Sequence, residues 1–295
     1  MKRESKPAEL LSRYTDLVKY RLSLAVTFSS AAGYLIAGRK ADPGLIVVSA
    51  GVLLLASGSA ALNQVQERRT DALMERTAGR PIPCGKLEVG KARISAALLL
   101  VSGTILLLFS GIYPAILGVA CILLYNLLYT ILKPRSILAV IPGALTGAIP
   151  PAIGFTAAGG SIADPRIICL SSFMFLWQLP HFWLVILKYR DDYYRAGFRN
   201  LAGFIDPGRL KLLVLGWVMV TSAILLGFLA FSDAFGRLPV ITTALLNPLF
   251  IILFIKALFP GEKPLKFSAA FILLNTFGFL LIVILVLDSL LKNRG

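Results

Sequence analysis

Apolar residues in this chain run in blocks near 18–38, 44–66, 92–111, 113–132, 136–158, 166–187, 212–232, 238–258 and 267–288. Each block approaches the roughly 20 residues that a helix needs to cross a bilayer. The pattern predicts an all-α polytopic membrane protein, a bundle of about nine transmembrane helices. It forms a single domain over residues 1–295, with 1–17 as a cytoplasmic N-terminal segment. Within that segment residues 8–19 predict a short interfacial helix, with Leu10, Leu11, Tyr14 and Val18 on one side. Beyond the N terminus, only 67–91 and 188–211 are sizeable hydrophilic stretches. Both follow even-numbered spans, so the chemistry is expected on one membrane face.

Two interruptions of the apolar pattern stand out. Span five carries Pro142, Gly143, Gly147, Pro150, Pro151 and Gly154, which predicts a broken or bent helix. Backbone groups freed in a membrane are tolerated where they face protein or a water-filled cavity, so this span is expected to line a chamber. Span two runs into NQVQERRTDALMERTAGRP, where Asn63, Glu67 and Asp71 fall four apart and share one helix face. Two carboxylates and an amide oxygen suit Mg²⁺, which keeps several waters and commonly binds phosphate as well. Arg76 and Arg80 add phosphate-matching donors just beyond. The expected ligand is a metal-bridged diphosphate. An interfacial carboxylate is often only a solvated helix end, but Asn63 lies deeper, where a polar group is costly.

Charge supplies the orientation. With the N terminus inside, twenty-four of the 30 Lys and Arg fall on the inner side, leaving Arg39, Lys40, Arg166, Arg237, Lys292 and Arg294 outside. The net charge of +15 then reflects loops near anionic lipid and implies no nucleic acid. Cys84, Cys121 and Cys169 have no metal-type spacing and receive no chemistry. The basic N terminus before an apolar run imitates a signal peptide, but the run is long and lacks a convincing cleavage site, so it reads as a retained span.

Spans two and six each end in a carboxylate-bearing face leading into a basic loop, a faint internal repeat. In the second copy His181, Val185, Lys188 and Asp192 recur at helical spacing, with Asp191 adjacent and Trp177 and Gln178 one turn earlier. Asp191 and Asp192 either balance neighbouring Lys188 and Arg190 or, by equivalence with Glu67 and Asp71, complete a metal site. His181 is the sole histidine. It either satisfies a local hydrogen bond or, as an ionisable group within a span, ligates iron, donates a hydrogen bond or moves a proton. Tyr129 and Lys133, one turn apart, make either an interfacial anchor or part of the diphosphate site; Lys133 and Arg135 share the inner face with Arg76 and Arg80.

These residues resemble the intramembrane aromatic prenyltransferase superfamily of UbiA type, and within it the heme O synthase (protoheme IX farnesyltransferase) family. The likeness rests on Asn63, Glu67, Asp71, Met74, Arg76, Thr77, Arg80 and Pro81. It continues through Tyr129, Thr130, Leu132 and Lys133, then Gly147 to Gly154, Trp177 to Trp183, and Asp192, Tyr193, Ala196 and Gly197. About two thirds of the chain is covered. The chain departs from the family pattern at Pro134, Ala139 and Pro142, and at Phe198, Arg199 and Asn200.

The resemblance implies a farnesyltransferase in which Mg²⁺ bridges farnesyl diphosphate between Asn63, Glu67 and Asp71 on one side and Asp191 or Asp192 on the other. Arg76, Arg80, Lys133, Arg135 and Lys188 hold phosphate, and Tyr129 and Asp192 join the catalytic set. His181, Trp177 and Gln178 face the acceptor, protoheme IX, whose vinyl group takes the farnesyl chain with addition of water. A downstream heme-modifying enzyme is a possible partner. The implied location is a bacterial cytoplasmic (inner) membrane, with the active site toward the cytoplasm. The nearest rival is a sister prenyltransferase acting on a quinone precursor or other aromatic acceptor. A secondary transporter is more distant, since its polar groups should gather at the bilayer midplane.

Overall fold

The computed structural model describes residues 7–260 and 267–292. Lys2, Arg3, Lys6, Lys263, Lys266 and Arg294, used above for orientation, lie outside the described residues. Helix α1 (Pro7–Leu17) precedes α2 (Tyr20–Ile36), α3 (Pro43–Asp71), the short α4 (Glu75–Ala78) and α5 (Val89–Ser110). A continuous rod follows, made of α6 (Ile112–Ile122), a π-helical stretch (Leu123–Tyr129) and α7 (Thr130–Leu132). Next come α8 (Val140–Ala148), α9 (Pro150–Ala157), α10 (Pro165–Lys188) and α11 (Arg190–Arg195). Helices α12 (Pro207–Phe231), α13 (Arg237–Leu258) and α14 (Phe267–Lys292) complete the bundle.

Among the described residues 8 helical rods are long and apolar enough to cross a membrane. A ninth, α2, has 17 residues and reaches about 25 Å at 1.5 Å per residue. The all-α bundle of about nine spans is therefore the observed architecture. Its outer surface is apolar where a soluble protein would be polar: Phe109 and Phe231 are 80% and 93% exposed, as expected where lipid is the solvent.

Three long helices begin at an Asp–Pro pair. Asp42, Asp164 and Asp206 accept hydrogen bonds from the first amides of α3, α10 and α12, and the following proline supplies a preset φ where no amide is needed. Helix α3 packs mainly on α5 and α2, α2 on α9, and α10 on α8 and α12; α13 meets α14, which returns to α2 and closes the ring. The α2–α9 contact is intimate because Gly33 lies against the Pro151 backbone and Gly154 against that of Ser30. A side chain at either glycine would force the helices apart.

Span five is broken as expected. Helix α8 ends at Ala148, Ile149 separates the halves, and α9 restarts with Pro150, which has no amide hydrogen to give. Span four carries a feature the apolar pattern did not announce, the π stretch. Its irregular backbone is held by α3: Gln66 Nε2 donates to the Asn126 carbonyl at 3.0 Å, while Asn126 Nδ2 donates to the Ser59 carbonyl at 3.0 Å and to Gln66 Oε1 at 3.2 Å. In lipid such backbone groups need a partner from protein, and these side chains supply it.

Candidate active site

A cavity of about 300 Å³ sits between α2, α3, span four, α8, α9 and α10. Its walls are apolar in the bundle interior, with Val26, Val52, Leu55 and Ile153. At one end the lining turns charged, because α3 continues past its apolar section for one more turn and a half and carries its polar face along. Asn63 and Glu67 line the cavity there with Lys19, Arg76, Arg80 and Lys133, while Asp71 is fully buried directly behind. The glycines and prolines of span five contribute Gly143, Gly147 and Pro150 to the wall, where the small residues let the chamber approach the backbone.

Each member of the α3 face has a cation of its own. Lys19 Nζ donates to Asn63 Oδ1 at 2.6 Å, Lys133 Nζ to Glu67 Oε1 at 2.8 Å, and Arg80 Nη1 to Asp71 Oδ2 at 2.6 Å. Asn63 Nδ2 donates onward to Thr130 Oγ1 at 3.0 Å, which fixes its oxygen toward Lys19. The remaining Asp71 oxygen, Oδ1, is buried and has no hydrogen-bond partner. Removing one partner from such a buried pair leaves an uncompensated charge, at a cost of about 3–5 kcal/mol. Lys19 holds its place through a left-handed backbone, φ 47° and ψ 53°, and among the described residues no other non-glycine has positive φ. That strain costs roughly 1–3 kcal/mol and is found where a site demands a particular orientation.

Asp192 does something different. Although buried, it is absent from the cavity lining. Its Oδ1 accepts from the Glu75 amide at 3.1 Å and from Arg195 Nη2 at 2.6 Å, and its Oδ2 accepts from the Arg76 amide at 3.2 Å. Arg195 also donates to Glu75 Oε1 at 2.8 Å. Burial by itself would raise the Asp192 pKa, but the Arg76 amide, the Arg195 guanidinium and the Glu75 amide outweigh it and hold the carboxyl below the ordinary aspartate value. The pairing ties the loop after α3 to the loop after α10. It also sets the start of α4, from which the Arg76 guanidinium reaches the cavity over the Tyr189 ring at 4.8 Å.

The residues expected at the acceptor divide. His181 and Gln178 line the same cavity as Glu67. His181 Nδ1 is 3.2 Å from Asn275 Oδ1, and the Asn275 amide donates to the Phe271 carbonyl at 2.6 Å. With its NH₂ used there, Asn275 presents an acceptor; the network assigns the proton to Nδ1 and leaves Nε2 with a free lone pair. Trp177 is absent from that lining and lies in the core, its ring 4.9 Å from Phe173, 5.6 Å from Phe250 and 5.3 Å from Phe277, because α10 turns that face to α13 and α14. Tyr129 and Lys133 line the cavity, whereas Asp191, Arg135 and Lys188 are exposed and absent from its lining.

Lys19, Tyr125 and Tyr193 also line the cavity and were missed as site residues. Lys19 carried one signal, a cation placed with Arg21 where the first apolar run begins. Among the described residues no group of three His, Cys, Asp or Glu side chains is close enough to hold a metal by itself. The donors present, an amide oxygen and two carboxylates, one of which keeps an orphaned buried oxygen, fit a hard cation that takes its remaining ligands from water or phosphate.

The UbiA prenyltransferase family profile matches residues 26–286. The chain belongs to that family. A relative from Geobacter sulfurreducens named Protoheme IX farnesyltransferase is 44% identical over 197 residues, covering 65% of this prenyltransferase and 73% of the relative. Among solved structures, a digeranylgeranylglyceryl phosphate synthase superposes with TM-score 0.76 at 20% identity, covering 96% of this chain and 99% of that one. A UbiA homolog from Archaeoglobus fulgidus, bound to GPP and Mg²⁺, gives TM-score 0.67 at 15% identity, with 92% and 99% covered. At that identity the two structures establish the fold, and the fold of this prenyltransferase is theirs.

Proposed function

We propose that this prenyltransferase moves a farnesyl group from farnesyl diphosphate to a vinyl group of protoheme IX, with water completing the addition to give heme O. One observation carries the reading. A single chamber receives Asn63, Glu67, Arg76, Arg80 and Lys133 at its charged end and His181 and Gln178 in its wall, so a diphosphate ester and an acceptor can share it. The name of the Geobacter relative supports the choice of both substrates.

Asn63, Glu67 and Asp71 would hold Mg²⁺, which when bound neutralises charge on the diphosphate leaving group. Arg76, Arg80 and Lys133 bind phosphate oxygens and oppose the negative charge that grows as the allylic C–O bond breaks. The bonding pair leaves with the diphosphate. Tyr125 and Tyr129, stacked with ring centroids 5.5 Å apart, present π faces to the allylic cation, and the apolar walls keep bulk water from it. The vinyl π electrons form the new C–C bond, and water adds to the resulting carbocation and releases a proton. His181, with Nε2 unprotonated, is assigned to the acceptor; a His181→Ala variant that binds heme and turns over normally would overturn that role. Asp192 and Arg195 hold Arg76 in place. We assign the charged end to the cytoplasmic face of a bacterial inner membrane, and product to a downstream heme-modifying enzyme.

The test is mass spectrometry of hemes extracted after the purified protein is incubated with heme, farnesyl diphosphate and Mg²⁺. A product heavier than protoheme by one farnesyl group and one hydroxyl is expected. Farnesylation of a phenolic or naphthoate acceptor, with heme unchanged, would transfer the chemistry to a sister enzyme. Substrate movement without pyrophosphate release would return the chain to the transporters.

A further inference from the structure

The three α3 ligand candidates are each occupied by a cation from the protein: Lys19 on Asn63, Lys133 on Glu67 and Arg80 on Asp71. Three different elements supply these cations, and Lys19 does so from a strained backbone. Charge at this end is also unbalanced. Two carboxylates, Glu67 and Asp71, face four cations, Lys19, Arg76, Arg80 and Lys133. A bare divalent cation entering here must displace resident cations from its ligands and then sit among them unscreened, in a pocket where charges interact more strongly than in water. A diphosphate reverses both effects, because its oxygens draw Lys19, Lys133 and Arg80 away from the α3 face and add negative charge.

We infer that the resident cations form an interlock, so that the divalent metal binds strongly only in company with the diphosphate. Lys19 is a positioning residue in it: it guards the Asn63 oxygen while the site is empty and turns to phosphate when the pair arrives. The Tyr125 hydroxyl, 3.5 Å from Lys19 Nζ, steadies it in the guarding position. This rests on the reading of the charged end as a metal–diphosphate site. Binding linkage is reciprocal, so the diphosphate must strengthen the metal by the same factor as the metal strengthens the diphosphate.

The experiment uses the detergent-solubilised full chain, with Mn²⁺ in place of Mg²⁺ and inorganic pyrophosphate as the anion. Bound Mn²⁺ is followed by electron paramagnetic resonance, and the signal of an Asp71→Ala variant is subtracted to isolate this site. In the wild type, Mn²⁺ binding is expected to tighten at least about tenfold when pyrophosphate is present, and pyrophosphate to gain equally from Mn²⁺. The Lys19→Gln variant should bind Mn²⁺ alone about tenfold more tightly and pyrophosphate alone more weakly, two changes of opposite sign that a merely unfolded site would not show. Equal Mn²⁺ affinity with and without pyrophosphate in the wild type overturns the interlock while leaving the site reading intact, and that measurement needs no variant. Unchanged Mn²⁺ affinity in a folded Lys19→Gln variant removes Lys19 from it. Absence of any joint binding of Mn²⁺ and pyrophosphate overturns the site reading and the interlock together.

Discussion

The ends of α3 and α10 have similar compositions and different tasks. Both carry acidic residues at or just beyond an apolar helix and lead into basic loops. At the end of α3 the acids stay on the helix, two of the three polar residues line the chamber, and each is matched by a side-chain cation from elsewhere in the chain. Beyond α10 the helix stops at Lys188, and Asp192 spends its oxygens on two backbone amides and one guanidinium. The first arrangement can exchange its partners for a ligand. The second joins the loop after α3 to the loop after α10. Composition at a helix end therefore says less about role than whether the partners are mobile side chains or fixed amides.

Substitutions separate the two ends. Glu67→Ala or Asp71→Ala should lower kcat/KM for the prenyl diphosphate most, by roughly a thousandfold, through loss of charge stabilisation at the leaving group. Size-exclusion chromatography should show the protein still folded in detergent. Asp192→Ala should cost about ten- to a hundredfold, mainly through a higher KM for the donor as Arg76 loosens, with the Mg²⁺ requirement unaltered. If it matched Glu67→Ala in size and raised the Mg²⁺ requirement, the two ends would be equivalent after all. Arg195→Ala should act in the same direction but by only a few fold, since the two amide bonds remain to hold Asp192. Trp177→Phe should leave turnover near wild type and lower stability by about 1 kcal/mol, read by thermal unfolding, as a near-volume core exchange does. A selective rise in KM for the acceptor would restore Trp177 to the chamber.

What the sequence revealed follows from what is local. The apolar blocks, the break in span five and the shared face of Asn63, Glu67 and Asp71 depend on spacing within one helix, and spacing is written in the chain. Lys19 was hidden because its value comes from a reversal of backbone hand between α1 and α2 and from meeting Asn63, 44 residues away. The junction at Asp192 was hidden because its partners are amides, which every residue but proline possesses and which leave no compositional trace. The core position of Trp177 was not legible because α10 is apolar over most of its circumference, so composition does not say which side of the helix faces the cavity.

The π stretch in span four acts as a phase shift. A π turn takes in one residue more than an α turn, so the residues beyond it are rotated by about 100° relative to an uninterrupted helix. Lys133 follows that stretch and, in the register it sets, meets Glu67 at 2.8 Å. Removing a single apolar residue between 123 and 129 would leave hydropathy, net charge and every ionisable group in place. It would nonetheless aim Lys133 elsewhere and leave Glu67 unanswered, so the pairing at the charged end of the cavity is held by a count of residues in the same stretch that carries Tyr125 and Tyr129.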